Sequence, residues 1–191
     1  MTADTYDTIL QAAGRLFTRQ GYTATSMRQL AEEVGIGKAT IYHHFPDKQA
    51  IVMALFQRNT SQMDSMLAAV RAEPEPRRRI RTVVESSLKF LGESSDIFQI
   101  VRREVPGGRA QLQSALTTFF RTYIGLLAEA LAQGQAQGIF REIDPREGAR
   151  VLLTMIQGTY AMAYLSVQRM PTFEAAAEAL LDVFFHGIEK R

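Results

Sequence analysis

Apolar positions recur at helical spacing along almost the whole chain. Ile9, Ala13, Leu16 and Phe17 stand at i, i+4, i+7 and i+8, one stripe of a helix predicted over about Thr5 to Gln20 and ended by Gly21. Met27, Leu30 and Val34 repeat at i, i+3 and i+7, and Ser26 with Gln29 three residues on has the spacing of a capping box. Gly35 follows at once, a residue free to take the left-handed conformation that ends a helix. Gly37 can cap a second short helix, with Ile41 and Phe45 as its inward pair. Pro46-Asp47 stops that helix and opens a fourth from Lys48 towards Arg71, and Ala72 to Pro76 reads as a linker. A fifth helix carries Ile80, Val83, Val84, Leu88 and Leu91 on its buried face. Asp96 is expected to cap a short sixth before the break at Pro106-Gly107-Gly108. Ala110 to Gln137 follows as one long helix, with Leu112, Leu116, Phe119, Tyr123, Leu127 and Leu131 in register. Asp144-Pro145-Arg146-Glu147 combines a cap, a first-position proline and a third-position carboxylate, and starts an eighth helix to about Gln168. Pro171-Thr172 opens a ninth, striped by Phe173, Ala177, Leu180, Leu181, Phe184, Phe185 and Ile188. No segment alternates as a strand does. The predicted fold is all-α, with about nine helices.

The stretch from Thr25 to Phe45 organises the rest. Two short helices joined by a tight glycine turn have the geometry that lays a helix in the major groove of DNA. With Ile41 and Phe45 inward, at about 100° per residue the opposite face is Ala39 and His43, flanked by Thr40 and Tyr42, with Lys38 in the first turn. No carboxylate occurs from Val34 to Phe45, which suits a surface of phosphates and base edges. The same pattern also fits a small helical hairpin with an ordinary polar face, and spacing alone does not separate the two.

Resemblance does. An Ala-x-x-Leu-Phe run (Ala13, Leu16, Phe17) is followed by Gly21-Tyr22, Ala24-Thr25-Ser26, Leu30-Ala31, Val34-Gly35-Ile36, Thr40-Ile41-Tyr42, His44-Phe45 and Lys48. This first quarter of the chain resembles the DNA-binding domain of the TetR family of bacterial transcriptional repressors. Gly37 departs from the serine cap common in that family, but glycine is an acceptable N-cap.

The resemblance implies a helix-turn-helix domain over 1–48, with the motif itself at about 26–45, and a helical ligand-binding and dimerisation domain over 49–191. It implies that Lys38, Ala39, Thr40 and His43 face base edges. Thr25, Ser26, Tyr42, His44 and Lys48 would mainly hold phosphates, with Arg28 able to do either. On that assignment Lys48→Ala weakens binding to all sequences and flattens its salt dependence, whereas His43→Ala alters base preference. The last two helices, with wide apolar faces and Gly158 and Ala163 allowing close approach, are expected to form a homodimer interface. Twofold-related heads then read a palindromic operator. The larger domain is expected to bind a small, hydrophobic effector that releases the DNA. Phe90, Phe98, Phe119, Tyr123, Met155, Tyr160 and Tyr164 are candidates for an aromatic pocket, with Arg102, Arg103 and Gln157 as polar contacts.

Composition narrows the alternatives. The 191 residues are 46% hydrophobic, with a mean hydropathy of −0.10, which is the composition of a globule that can bury a real core. Net charge is only +2 although the pI is about 9.0. Residues 1–48 balance Arg15, Arg19, Arg28, Lys38 and Lys48 against Asp4, Asp7, Glu32, Glu33 and Asp47. DNA affinity is therefore expected to depend on two heads binding together. The cluster Arg77, Arg78, Arg79 and Arg81 opposes the dipole of the helix it opens, and a solvated surface is the reading preferred over DNA or membrane. Gly134 and Gly138 are spaced for helix fraying or close packing. Cysteine is absent, so there is no disulfide, thiolate metal site or thiol nucleophile. Val151 to Leu165 falls short of the ~20 apolar residues of a spanning helix, and the N-terminus lacks a signal-peptide core. The chain reads as cytoplasmic.

Catalytic constellations fail individually. Gly35 to Thr40 glances at a phosphate loop, but GxxxxGK(S/T) fails because position 39 is Ala and position 32 is Glu. Ser86 to Lys89 fits SxxK without its companion motifs. His43 and His44 point about 100° apart and cannot share a metal. Neither an enzyme nor a cofactor or metal site is expected. The alternative to a regulator is a helical protein-interaction module without DNA binding.

Overall fold

The computed structural model describes residues 2–165 and 172–189, with side chains described within 5–162 and 172–189. Eight helices account for the described elements: α1 Thr2–Gln20, α2 Met27–Val34, α3 Lys38–His44, α4 Lys48–Ala72, α5 Pro76–Glu104, α6 Gly108–Ala136, α7 Pro145–Leu165 and α8 Phe173–Ile188. Among the described residues the only sheet-like contact is an isolated bridge between Phe140 and Glu189. The all-helical expectation holds. One expected element is absorbed: the short helix capped by Asp96 is the C-terminal part of α5. Ser94-Ser95-Asp96 contains neither proline nor glycine, and Ser94 is buried, so nothing there interrupts the backbone ladder.

The helix starts follow from local chemistry. Asp47 Oδ1 accepts from the Ala50 amide at 2.8 Å and begins α4. The expected linker shrinks to Glu73–Glu75, because the Glu75 carboxylate accepts from the amides of Arg77 and Arg78 and Pro76 takes the first position of α5. Asp144 Oδ1 accepts from Arg146 and Glu147 at 2.8 and 3.1 Å and starts α7. Thr172 Oγ1 accepts from the Ala175 amide at 3.2 Å and starts α8. The expected continuation to Gln168 and the role of Pro171 lie outside the described residues.

The chain divides into two compact units, Met1–Gln62 with Ser94–Ala115, and Met63–Glu93 with Leu116–Arg191. The first holds α1 to α3 around Ile9, Ala13, Leu16, Phe17, Leu30, Ile41 and Phe45, all buried. The second is built on Ile80, Val83, Val84 and Leu88 of α5, Phe119, Tyr123, Leu127 and Leu131 of α6, and the buried stripe Ala177, Leu180, Leu181, Phe184, Phe185 and Ile188 of α8. Leu91 and Leu116, expected inside, are half-buried. Gly134 is needed for close approach: a Cβ there would lie 2.2 Å from the Phe140 ring. That ring stacks on Phe185 with centroids 6.2 Å apart.

The arginine run is not an idle surface. Arg77 pairs with Glu189 and lies 4.6 Å over the Phe185 ring, and Arg81 pairs with Glu85 and Glu178. Arg79 Nε donates to the Glu73 carbonyl at 2.7 Å. Three of the four arginines therefore hold the start of α5 to α8 or to its own leading turn, while Arg78 is exposed.

Candidate nucleic-acid interface

The turn between α2 and α3 sets which residues reach outward. Ser26 and Gln29 form both halves of the capping box: the Gln29 amide donates to Ser26 Oγ at 3.2 Å, and the Ser26 amide donates to Gln29 Oε1 at 2.8 Å. Gly35 takes φ 74° at the C-cap of α2, and the Ile36 amide donates to the Ala31 carbonyl at 3.0 Å. Gly37 then caps α3 through extended backbone without a side-chain bond. Ile41 is 0% exposed and Phe45 is buried, so α3 is pinned by one face.

Its other face is open. Lys38, Ala39, Thr40 and His43 are exposed, and Tyr42 is 44% exposed with the Lys38 Nζ 5.9 Å from its ring centroid. His44 is half-buried, its ring meeting Tyr6 edge-on at 6.5 Å, and Tyr6 stacks on Phe45 at 4.8 Å. The carboxylates of α2 are already engaged: Glu32 accepts from Arg28 Nε at 2.7 Å, and Glu33 lies 3.8 Å from Arg19. Arg28 is otherwise exposed, and the bond to Glu32 holds its guanidinium above the ordinary value.

Two residues expected at phosphates face inward. Thr25 is buried, its hydroxyl donating to the Gly21 carbonyl at 2.8 Å and accepting from Gln20 Nε2 at 3.2 Å. The Lys48 ammonium donates to the carbonyls of Tyr22 and Thr25, the latter at 2.6 Å, and sits 4.1 Å from the Tyr22 ring centroid. Burial pushes the Lys48 ammonium down, against the pull of Glu104. Burial also pushes the Tyr22 phenol up, helped by Asp47 and Glu104. Both residues thus position the loop that feeds α2. Tyr6, Gln20 and Tyr22 belong to this support. Tyr22 was legible only as part of the Gly21-Tyr22 pair, and Tyr6 carried only its helical spacing to Ile9.

The effector candidates fall in both units. Phe90, Phe119 and Tyr123 pack together inside the second, with Phe90–Phe119 and Phe119–Tyr123 centroids 6.4 and 4.8 Å apart. The Tyr123 hydroxyl accepts from Ser87 at 3.0 Å and donates to the Val83 carbonyl at 3.2 Å, and burial raises its phenol above the ordinary value. Met155 lines a groove of about 360 Å³ with Val151 of α7 and Val183, Phe184 and Ile188 of α8. Gln157 is exposed and Tyr160 half-buried; the Tyr164 side chain lies outside the described residues. Phe98 and Arg102 belong to the first unit, Phe98 half-buried against Phe56 and Arg102 exposed like its neighbour Arg103.

Comparison with known proteins agrees with this geometry. The family model for bacterial regulatory proteins, tetR family, matches residues 9–55, and that for the tetracyclin repressor-like C-terminal domain matches residues 73–161. The HTH-type transcriptional regulator YvkB of Bacillus subtilis is 28% identical over 80% of this chain and 79% of its own. A crystal structure of a putative transcriptional regulator from Saccharomonospora viridis in complex with choline is 26% identical, covers 100% of both chains and has a TM-score of 0.76. That of AibR in complex with isovaleryl coenzyme A and operator DNA is 26% identical over 95% of this chain and 98% of its own, with a TM-score of 0.65. With the capped two-helix motif inside one matched region and the helical segment that follows it in sequence inside the other, the chain belongs to the TetR family and is a ligand-responsive, DNA-binding transcriptional regulator.

Proposed function

We propose that the chain is a repressor that acts in the cytoplasm as a homodimer on a palindromic operator and leaves it when a small hydrophobic molecule binds. The observation that carries this reading is the face of α3: Ile41 is wholly buried while Lys38, Ala39, Thr40 and His43 stand exposed on a helix without a carboxylate. Lys38, Thr40 and His43 hydrogen-bond to base edges and Ala39 meets a thymine methyl. Ser26, Arg28, Tyr42 and His44 hold phosphates. Thr25 and Lys48 act one step back, by fixing the loop before α2.

The dimer reading is supported by apolar side chains left open on α7 and α8, where Val151 is 54%, Met162 68% and Val183 64% exposed. Three such residues, of which Val151 and Val183 line the groove, are unusual on a surface that stays wet. The effector reading is supported by the two similar proteins seen with choline and with isovaleryl coenzyme A. A typical coupling of about 1–3 kcal/mol lowers operator affinity roughly 5–150-fold when the effector binds.

Sedimentation at micromolar concentration tests the dimer, and operator release across a panel of hydrophobic compounds tests the effector. A monomer removes the twofold mechanism. A panel without effect on operator binding or thermal stability removes the effector.

A further inference from the structure

Two buried polar atoms of the first unit have no hydrogen-bond partner in the protein: Asn59 Nδ2 on α4 and Ser94 Oγ on α5. Asn59 is 9% exposed and Ser94 1%. An unpaired donor inside a protein forfeits its hydrogen bond to water without a replacement, so a pair of them calls for a partner.

A neighbouring aromatic contact relates their places on the two helices. Phe56 of α4 meets Phe98 of α5 edge-to-face, with centroids 6.2 Å apart and planes at 72°. Lys48, two turns before Phe56, feels the charge of Glu104, which follows Phe98. These segments of α4 and α5 are therefore antiparallel. Asn59 is three residues beyond Phe56 and Ser94 four residues before Phe98, so each shares its helix face with a phenylalanine, one turn further in the same direction. Asn59 and Ser94 thus stand on facing helix surfaces beside an aromatic pair.

We propose that Asn59 and Ser94 bind the carbonyl oxygen of an uncharged effector, a ketone, ester, amide or thioester, whose apolar body lies against Phe56 and Phe98. The proposal rests on the effector reading above and names the chemistry the ligand presents. A carbonyl oxygen has two lone pairs and accepts from the amide and the hydroxyl together. The four side chains of the site carry no charge, so a carboxylate or ammonium bound there would meet no counter-charge among them.

The test compares 2-octanone, octane and octanoate on the full-length protein, reading the thermal midpoint by circular dichroism and affinity by calorimetry, with Asn59→Leu and Ser94→Ala as separate variants. The expected result is that 2-octanone raises the wild-type midpoint more than octane or octanoate does. Each variant melts at or above the wild-type temperature and binds the ketone about tenfold more weakly. Three results overturn the proposal: octane or octanoate stabilising as well as the ketone, variants binding the ketone as tightly as the wild type, or a lowered variant midpoint, which marks a structural bond or an ordered water instead. Operator release by some other hydrophobic compound leaves the effector reading standing in each of those cases.

Discussion

The ammonium of Lys48 donates to the carbonyl oxygen of Thr25 at 2.6 Å, across 23 residues of chain. One side chain at the start of α4 thereby fixes the loop that presents α2. It satisfies carbonyls that no helix claims, and the Tyr22 ring beneath it adds a cation–π contact.

Lys48→Met keeps the aliphatic stem and removes the donors. Because Lys48 is only half-buried, water replaces part of what is lost, and the variant is expected to be less stable by about 1–2 kcal/mol in urea unfolding. Duplex binding weakens for all sequences, but the salt dependence keeps the wild-type slope. A slope shallower by about one would instead place Lys48 on a phosphate.

Gly35 is the second fixed point. Its φ of 74° is left-handed, yet a Cβ there meets nothing within 4 Å. The loss in Gly35→Ala is therefore backbone strain alone, about 1–2 kcal/mol by urea unfolding, and Gly35→Asn loses less because asparagine tolerates that conformation.

How far such features were legible in the sequence depended on their range along the chain. Caps at Ser26, Asp47, Asp144 and Thr172 act within three residues, and they stand where the residue types placed them. The outward face of α3 followed from the helical period once Ile41 was inward. The extra break at Asp96 did not materialise because a polar trio without glycine or proline does not end a packed helix. The inward turn of Thr25 and Lys48, the Arg77–Glu189 pair and the facing of Asn59 and Ser94 all depend on partners more than a helical turn away, which periodicity does not encode.

The open face of α7 and α8 gives a prediction about assembly. Val183→Arg puts a charge on a side chain that is 64% exposed, so the unfolding midpoint at high dilution stays near wild type. The charge is expected to shift sedimentation at micromolar concentration from dimer to monomer and to weaken duplex binding with it. An unchanged dimer would place the interface elsewhere.

Alkaline pH probes the core of the second unit. Burial raises the Tyr123 phenol above its ordinary value near 10.0, so above that pH the folded protein holds a proton the unfolded chain releases. Stability is then present below pH 10.0 and falls as pH rises towards the raised value, by at most about 1.4 kcal/mol per pH unit for one group. Tyr123→Phe is expected to be less stable at neutral pH, since Ser87 loses its acceptor, and to show a shallower alkaline loss. Tyr22, raised for the same reason, leaves a residual slope.

Selection of bound duplexes from a random pool tests the central claim most directly, with wild type and His43→Ala run side by side. The expected outcome is enrichment of twofold-symmetric sequences whose half-sites lie roughly 34–36 Å or a multiple apart, with His43→Ala changing the preferred base at one position in each half. Enrichment of no sequence by the folded dimer, or the same sequence selected by both proteins without symmetry, would contradict the claim that α3 reads DNA through its exposed face.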